Sequence, residues 1–182
     1  SPIDKTKELE MLTEKFSYSY QVWNQFSDSC FNLFSHYPQF KSEWLTKLSA
    51  SVEKSLQLDP SLDNRAWIYK YRFLSLNMKN GLVGNVNEQL SELVDKAKSI
   101  NKSHLRYLDL LVKRAKTYSE LEKALLELQE IRKIATKTNQ RKIDEFIDIV
   151  VSEMQDTEGN DGFVKYLDEF YPNVIEDKNQ NC

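Results

Sequence analysis

Apolar residues recur every three or four positions along most of this chain. One such run passes through Tyr118, Leu121, Leu125, Leu128 and Ile131, and a similar run follows it further along. This spacing gathers apolar side chains on one face of an α-helix, whereas half-buried strands alternate apolar and polar residues with a period of two. β-Branched clusters with that alternation are missing. The pattern therefore predicts an all-α protein without a sheet.

Helix-breaking residues divide this helical pattern into about eight segments. The four glycines form two pairs, within 81–84 and 159–162, and Pro38, Pro60 and Pro172 mark further breaks. We expect helices near 4–36, with a break at 17–20 left open, and near 42–58, 63–79, 86–100, 104–117, 120–138, 140–155 and 162–171.

Two of these helices carry a start signal. Ser119 is followed three residues later by Glu122, and Asn85 by Glu88. A side-chain oxygen at the first position accepts a hydrogen bond from a free amide of the first turn, and the acid three residues later reaches back. We therefore expect these two residues to cap their helices.

A sequence pattern occurs twice in the first two thirds of the chain. LSASVEKSLQLDPS at 48–61 returns as LSELVDKAKSINKS at 90–103, 42 residues later. A period of this size is typical of stacked helical units, each too small to bury its own apolar face. We expect a helical-repeat stack of antiparallel helical hairpins, forming a single domain over 1–175 and followed by a polar frayed tail at 176–182.

One of these segments resembles the junction between repeats of the TPR and HAT families. In VEKSLQLDPSLDNRAWIYKYRFL, residues 52–74, a helix ends in a turn containing Pro60. The next helix opens with Trp67, with either Tyr69 or Tyr71, and with Phe73. FNLFSHYPQFKSEWLTKL, residues 31–48, resembles a HAT junction in the same way. The resemblance implies a helical-repeat domain that recognises a protein partner.

The same junction also resembles the repeats of prenyltransferase α-subunits. The residues that carry the likeness are Pro60, Asn64, the Ala66-Trp67 pair and Arg72. This second resemblance implies an enzyme subunit that needs a β partner and a lipid diphosphate.

Charge is distributed unevenly, although the net charge of the whole chain is only −3. Residues 96–142 carry a net charge of +8, and residues 143–182 carry −9. Either the basic stretch binds an external anion such as nucleic acid, or the acidic C-terminal segment folds back on the basic helices and neutralises them. We favour the second interpretation. The candidate contacts for an external anion are Lys113, Arg114, Lys116, Arg132, Lys133, Lys137, Arg141 and Lys142.

Four tyrosines are candidates for contacting a protein partner. They form two pairs at alternate positions, Tyr18 with Tyr20 and Tyr69 with Tyr71. Residues two apart on a helix cannot both point into the core, so each pair is expected to straddle core and surface. Exposed aromatic side chains often anchor a bound partner.

Catalytic and metal-binding patterns are not found in the sequence. The only histidines are His36 and His104, and Cys30 lies six residues from His36, on a different helix face. Paired cysteines or histidines at metal-ligand spacing are missing, and Gly81 and Gly84 lack the lysine of a phosphate-binding loop. We therefore expect a protein that is not an enzyme and that binds neither a metal nor a cofactor.

The cysteines and the lack of long apolar runs indicate the cellular compartment. No run of roughly 18 apolar residues exists, and the first residues do not form a signal peptide. Two cysteines in such different contexts, one at the last position, predict a reduced compartment. We expect an intracellular protein, cytoplasmic or nuclear, without contact with a membrane.

These observations lead to three functional hypotheses. The leading one is a non-enzymatic helical scaffold or adaptor that presents a helical face to a protein partner within a larger assembly. The first alternative is a nucleic-acid-associated module that uses the basic stretch at 96–142. The second alternative is an enzyme subunit of the prenyltransferase α type.

Overall fold

The fold was examined in a computed structural model that describes residues 1–79 and 85–157, with side chains described for all of these except 77–79. The described residues form eight α-helices, a short 3-10 helix and no strand. This confirms the all-α prediction. The helices are α1 (Pro2–Lys15), α2 (Tyr20–His36), α3 (Lys41–Leu58), α4 (Ala66–Lys79), α5 (Val86–Asn101), α6 (Leu105–Arg114), α7 (Tyr118–Ile134) and α8 (Lys137–Thr157), with the 3-10 helix Pro38–Phe40 between α2 and α3.

The helix boundaries follow most of the predicted breaks. The first long segment is broken between Lys15 and Tyr20, where the sequence left the question open. The turn after α2 lies at Pro38, and α4 begins at Ala66 rather than at 63. The predicted helix at 162–171 and the predicted tail at 176–182 lie outside the described residues.

Both predicted helix caps differ from the structure. Helix α7 begins two residues earlier than expected, and its cap is Thr117, whose hydroxyl accepts a hydrogen bond from the amide of Glu120. Ser119 lies inside the first turn, so its predicted role is wrong. Asn85 does occupy the cap position of α5, but its side chain makes no capping hydrogen bond.

The chain is divided into two compact units, Ser1–Tyr107 and Leu108–Cys182. In the first unit, α2 packs against α1, α3 and α4, and α4 also packs against α3 and α5. Its core is formed largely by α2 and α3, where Phe26, Cys30, Leu33, Trp44 and Leu48 are buried. The apolar stripe of α2 thus faces α3, which leaves another face of α2 free.

Polar side chains join the helices of the first unit at several buried points. Ser27 on α2 hydrogen bonds to Ser51 on α3 at 2.8 Å, and Thr6 on α1 hydrogen bonds to Ser29 on α2 at 2.8 Å. Small hydroxyl residues allow the helix backbones to approach closely, and the mutual bonds satisfy polar groups that would otherwise be costly to bury. These contacts fix the position of α2 between its neighbours.

In the second unit, α7 and α8 pack as a hairpin. The apolar stripe predicted from the sequence is buried on both helices, as the positions of Leu121, Leu128, Ile143 and Val150 show. The connection between the two helices consists only of Ala135 and Thr136. Such a short connection requires the two helices to run antiparallel.

The two copies of the repeated pattern have matching local geometry. The carboxylate of Asp59 accepts a hydrogen bond from the amide of Ser61 at 3.1 Å, and the carboxamide of Asn101 accepts one from the amide of Ser103 at 2.9 Å. In both turns, a side-chain oxygen accepts a hydrogen bond from the backbone amide two residues later. Leu48 and Leu90 are equivalent and buried, as are Val52 and Val94, whereas the equivalent Leu58 and Ile100 are both exposed. Helical-repeat packing over the whole chain stays a prediction.

Candidate protein-binding face

One side of α2 is not covered by a neighbouring helix. Gln21, Gln25, Asp28 and Asn32 recur at helical spacing along this side, and all four side chains are exposed. The opposite side of the helix carries the buried apolar stripe that packs on α3. A polar stripe of this kind is the solvent side of an amphipathic helix, unless a partner covers it.

A shallow groove of about 170 Å³ runs between this stripe and α1. It is lined by Lys5, Leu9, Gln25, Asp28, Ser29 and Asn32. The groove lies within the first unit, and five of the six residues that line it are polar or charged, although carbon atoms form much of its surface. A groove of this size accommodates a few side chains of a partner rather than a large cofactor.

On the other side of the stripe, α2 and α4 are joined by stacked aromatic rings. The rings of Phe31 and Tyr69 are stacked, with centroids 5.8 Å apart and an interplanar angle of 30°. The Tyr69 hydroxyl donates a hydrogen bond to the carboxylate of Asp28 at 3.3 Å. Burial raises the pKa of this hydroxyl, and the negative charge of Asp28 adds to the shift. Tyr69 therefore stays protonated and keeps its role as a donor.

Two arginines lie over these rings. The guanidinium carbon of Arg72 is 4.3 Å from the centroid of Phe31, and that of Arg65 is 5.8 Å from the centroid of Tyr69. Both side chains are exposed. Cation–π contacts of this kind restrain a guanidinium while its N–H groups stay available to other acceptors. Within the described residues, neither guanidinium makes an ion pair or a hydrogen bond.

We call this surface the α2–α4 face. It consists of Gln25, Asp28 and Asn32 on α2, Arg65 and Arg72 at the start of and along α4, and Lys5 on the far wall of the groove, with the buried Tyr69 beneath Arg65. It carries three positive charges against the single negative charge of Asp28. Chemically, it offers restrained guanidinium donors and free carboxamides. Such a surface suits a ligand that carries carboxylates and a peptide backbone.

The four tyrosines predicted to contact a partner lie in different surroundings. Tyr18, in the turn between α1 and α2, is 75% exposed, and its ring meets Phe16 edge to face. Tyr20 begins α2 and is partly buried. Tyr69 and Tyr71 are buried, with 3% and 9% of their surface exposed. The expectation that each pair straddles core and surface thus fails for the second pair, because the turns of α4 place Tyr69 against α2.

The basic residues predicted to contact an anion all lie in the second unit, and four of them pair with nearby acids. Lys113 pairs with Asp109 and Lys133 with Glu130, each at 2.7 Å. The other two pairs are Arg132 with Asp144, through both carboxylate oxygens, and Lys142 with Glu145. Asp144 and Glu145 belong to the acidic C-terminal segment. Folding back of that whole segment on the basic helices stays a prediction, because residues 158–182 lie outside the described residues.

The remaining basic candidates are spread along the hairpin. Lys116 precedes α7, whereas Arg132 lies in the last turn of that helix. Because the 17 residues of α7 span about 25 Å, these two residues lie near opposite ends of the helix. Arg114 lies at the end of α6. Lys137 and Arg141 are exposed in the first turns of α8 and make no ion pair with another described residue. The structure therefore does not gather the eight residues into one cluster.

Other reactive groups in the described residues are structural in character. Cys30 is a free, buried thiol, and burial raises its pKa to about 12, with the charge of Glu10 as a smaller cause. His104 donates from Nε2 to Asp63 and accepts the amide of Arg106 on Nδ1, which joins the start of α6 to the α3–α4 turn. Over the described ranges, no group of three or more His, Cys, Asp or Glu side chains is placed to hold a metal ion.

None of the helices in residues 1–79 and 85–157 is both long enough and apolar enough to cross a membrane.

Sequence reasoning missed Arg65 and Arg72 as a functional pair. Their region has a balanced charge, so nothing marked it as a basic surface. The available signal was their spacing, because Arg65, Tyr69 and Arg72 fall at i, i+4 and i+7 and so share one side of a helix.

Comparison with protein-family models, curated proteins and solved structures finds no match to this chain.

Proposed function

We propose that this chain is a non-enzymatic helical scaffold whose α2–α4 face binds a segment of a partner protein. The observation that carries the proposal is the pair Arg65 and Arg72, which lie over the Phe31–Tyr69 ring stack without an acidic partner among the described residues. Both guanidinium groups contact the same ring stack, and the stack joins two helices.

The energetics of binding favour such an arrangement. Binding costs less side-chain entropy when the guanidinium is already restrained. A larger part of the free energy of each hydrogen bond then contributes to the affinity. Arginine is also enriched among the residues that dominate protein interfaces. The rings beneath the arginines belong to the core, which keeps the position of the two charges fixed relative to the backbone.

The compartment proposed for this activity is intracellular, cytoplasmic or nuclear. Cys30 is a free thiol in the core rather than part of a disulfide. Free buried thiols are common in proteins of reducing compartments.

A nucleic-acid-associated role through 96–142 is the second candidate. It is favoured by Lys137 and Arg141, which are exposed and make no ion pair with another described residue. It is disfavoured by the four ion pairs that neutralise other members of the set. A phosphate-binding surface gains affinity by releasing counterions, and a lysine already paired with a carboxylate contributes less to that release.

The experiment is an affinity capture from native lysate with the full chain as bait, with and without nuclease, quantified by mass spectrometry. Three baits are compared: the unchanged chain, the double variant Arg65→Gln/Arg72→Gln, and the control Arg141→Gln, which removes an exposed arginine outside the face. We expect a set of proteins that survives nuclease, is lost with the double variant and is retained with the control.

The opposite pattern would contradict the proposal. If capture collapses on nuclease treatment, or if Arg141→Gln loses the partners while the double variant keeps them, the basic stretch is the functional surface. Far-ultraviolet circular dichroism of the three baits establishes that each is folded, so that loss of binding is not loss of structure.

A further inference from the structure

We propose that the segment bound by the α2–α4 face is an extended acidic peptide of the partner, with two carboxylates three residues apart, one for each arginine. This inference rests on the proposed function and adds the chemistry of the bound segment. It is argued from the charge of the face, from the spacing of the two arginines and from the polar side chains between the helices.

Charge complementarity sets the sign of the ligand. Lys5 and Asp28 line the groove, whereas Arg65 and Arg72 lie over the Tyr69 and Phe31 rings on the other side of the α2 stripe. Asp28 is the one acidic side chain of this face. Asp28 also accepts the Tyr69 hydroxyl, so part of its hydrogen-bonding capacity is already used. A carboxylate forms shorter and stronger hydrogen bonds with a guanidinium than a neutral acceptor does. An acidic ligand is therefore favoured over a neutral or basic one.

The spacing of the arginines sets the spacing of the carboxylates. Arg65 and Arg72 are seven residues apart, and the hydrogen bond from the Tyr69 amide to the Arg65 carbonyl at 3.2 Å extends helical geometry back to Arg65. Seven residues of helix rise about 10 Å. An extended peptide of the polyproline II type advances about 9 Å in three residues and returns its side chains to the same side. Acidic residues three apart thus match the spacing of the two arginine residues along the helix.

The polar side chains of α2 favour an extended ligand over a helical one. Gln25 and Asn32 are exposed and offer carboxamides with no hydrogen bond to another described residue. Carboxamides can pair with the N–H and C=O groups of a peptide backbone. An extended peptide has those groups free, whereas a helix satisfies its own.

The test is a direct binding measurement with the full chain. The probe is a fluorescently labelled Ser/Pro-rich synthetic peptide with two glutamates three positions apart, read by fluorescence anisotropy. The matched probes carry two adjacent glutamates or two glutamines. We expect the first probe to bind most tightly, and we expect Arg65→Gln and Arg72→Gln each to weaken it by about tenfold.

The control variants make the test specific to this face. Lys7→Gln removes one positive charge at an exposed position outside the face and is expected to leave the affinity unchanged. Arg72→Lys keeps the charge but removes the planar fork, so we expect a loss smaller than that of Arg72→Gln. Thermal unfolding of each variant establishes that the fold is retained.

Asp28→Asn provides a test in the opposite direction. The carboxamide oxygen of asparagine can still accept the Tyr69 hydroxyl, so the local structure is retained while the repulsive charge is removed. We expect the acidic probe to bind about threefold more tightly to this variant. An affinity that falls would contradict an acidic ligand.

Failure of this inference is distinguishable from failure of the proposed function. If the captured partners depend on Arg65 and Arg72 but the acidic probe binds no better than the glutamine probe, the inference is overturned and the scaffold proposal stands. If a single-stranded RNA oligonucleotide displaces the bound acidic peptide at lower concentration than unlabelled peptide does, the face binds phosphate and the inference is overturned. If the acidic probe binds as expected but no protein survives nuclease in the capture, the inference is supported and the scaffold proposal fails.

Discussion

A single asparagine organises the turn that leads into α4. Asn64 is 1% exposed, and its side chain donates to the carbonyl oxygens of Asp59 and Ser55. Its carboxamide oxygen accepts from the amide of Ala66 and from the side chain of Asn24 on α2. The same residue therefore closes the α3–α4 turn, opens α4 and ties both to α2. The position of Arg65, the next residue, depends on this network.

Asn64→Ala is expected to lower the free energy of unfolding by about 3 kcal/mol, because it leaves several buried backbone groups without a partner. Gln57→Ala, an exposed polar residue on α3, is the control and is expected to change stability by less than about 0.5 kcal/mol. Urea unfolding followed by circular dichroism gives both values. A loss at position 64 no greater than that of the control would mean that water replaces the lost hydrogen bonds.

The sequence shows where basic residues are dense, but it does not show which of them are paired with acids in the fold. The density of lysine and arginine drew attention to 96–142, but density alone does not reveal that Lys113, Arg132, Lys133 and Lys142 are paired with acids. Two isolated arginines give no such signal. Their importance depends on the ring of Phe31, which comes from a helix that lies more than thirty residues earlier in the chain.

At the scale of the element, two overlapping sequence signals for a helix cap compete at the start of α7. The chain offers Thr117 with Glu120 and, two residues later, Ser119 with Glu122. The first pair forms the cap, because Glu120 accepts the amides of both Thr117 and Lys116. These two hydrogen bonds lower the pKa of Glu120 below its usual 4.5. The stabilisation by this carboxylate is therefore complete above pH 4.5 and is lost as the pH falls through the lower pKa of the folded state.

Thr117→Ala is expected to cost about 1 kcal/mol of stability, the usual value of a helix cap. Ser119→Ala is the matched control, because it makes a similar deletion two residues later, at an exposed position in the first turn. We expect it to change stability by less than about 0.5 kcal/mol. Chemical denaturation of both variants at neutral pH makes the comparison, and a larger loss for Ser119→Ala would show that the helix begins later in solution.

Helices were easier to predict than their ends or their partners. Periodicity and the glycine and proline breaks gave the helical segments in the described residues, since both signals are local. The turn geometry of the repeat also has a local cause, because Asp59 and Asn101 are the residue types that cap the amide two positions on. The contact of α2 with α4 is not local, and it creates the candidate face.

At the scale of the whole molecule, each of the two compact units has its own buried core. Trp67 is buried in the first unit, and its indole donates to the carbonyl oxygen of Ser61 at 3.0 Å. Trp23 makes the equivalent contact with Ser17, six residues before it, at 2.9 Å. In the second unit, the hairpin buries Leu128. Regions with separate cores often open separately in native proteins, even when they belong to one domain.

Hydrogen exchange tests whether the two units open separately. Leu128→Ala is expected to cost about 2–5 kcal/mol in the second unit, because a fully buried leucine leaves a cavity. We expect exchange to speed up in α7 and α8, while the amides of α2, α3 and α4 keep their rates. Leu126→Ala, on the same helix but 42% exposed, is the control and should leave both units unchanged. Faster exchange throughout the chain would instead show that the protein opens as one cooperative unit, as the prediction of a single domain over 1–175 implies. The α2–α4 face would then depend on a core far from it in the sequence.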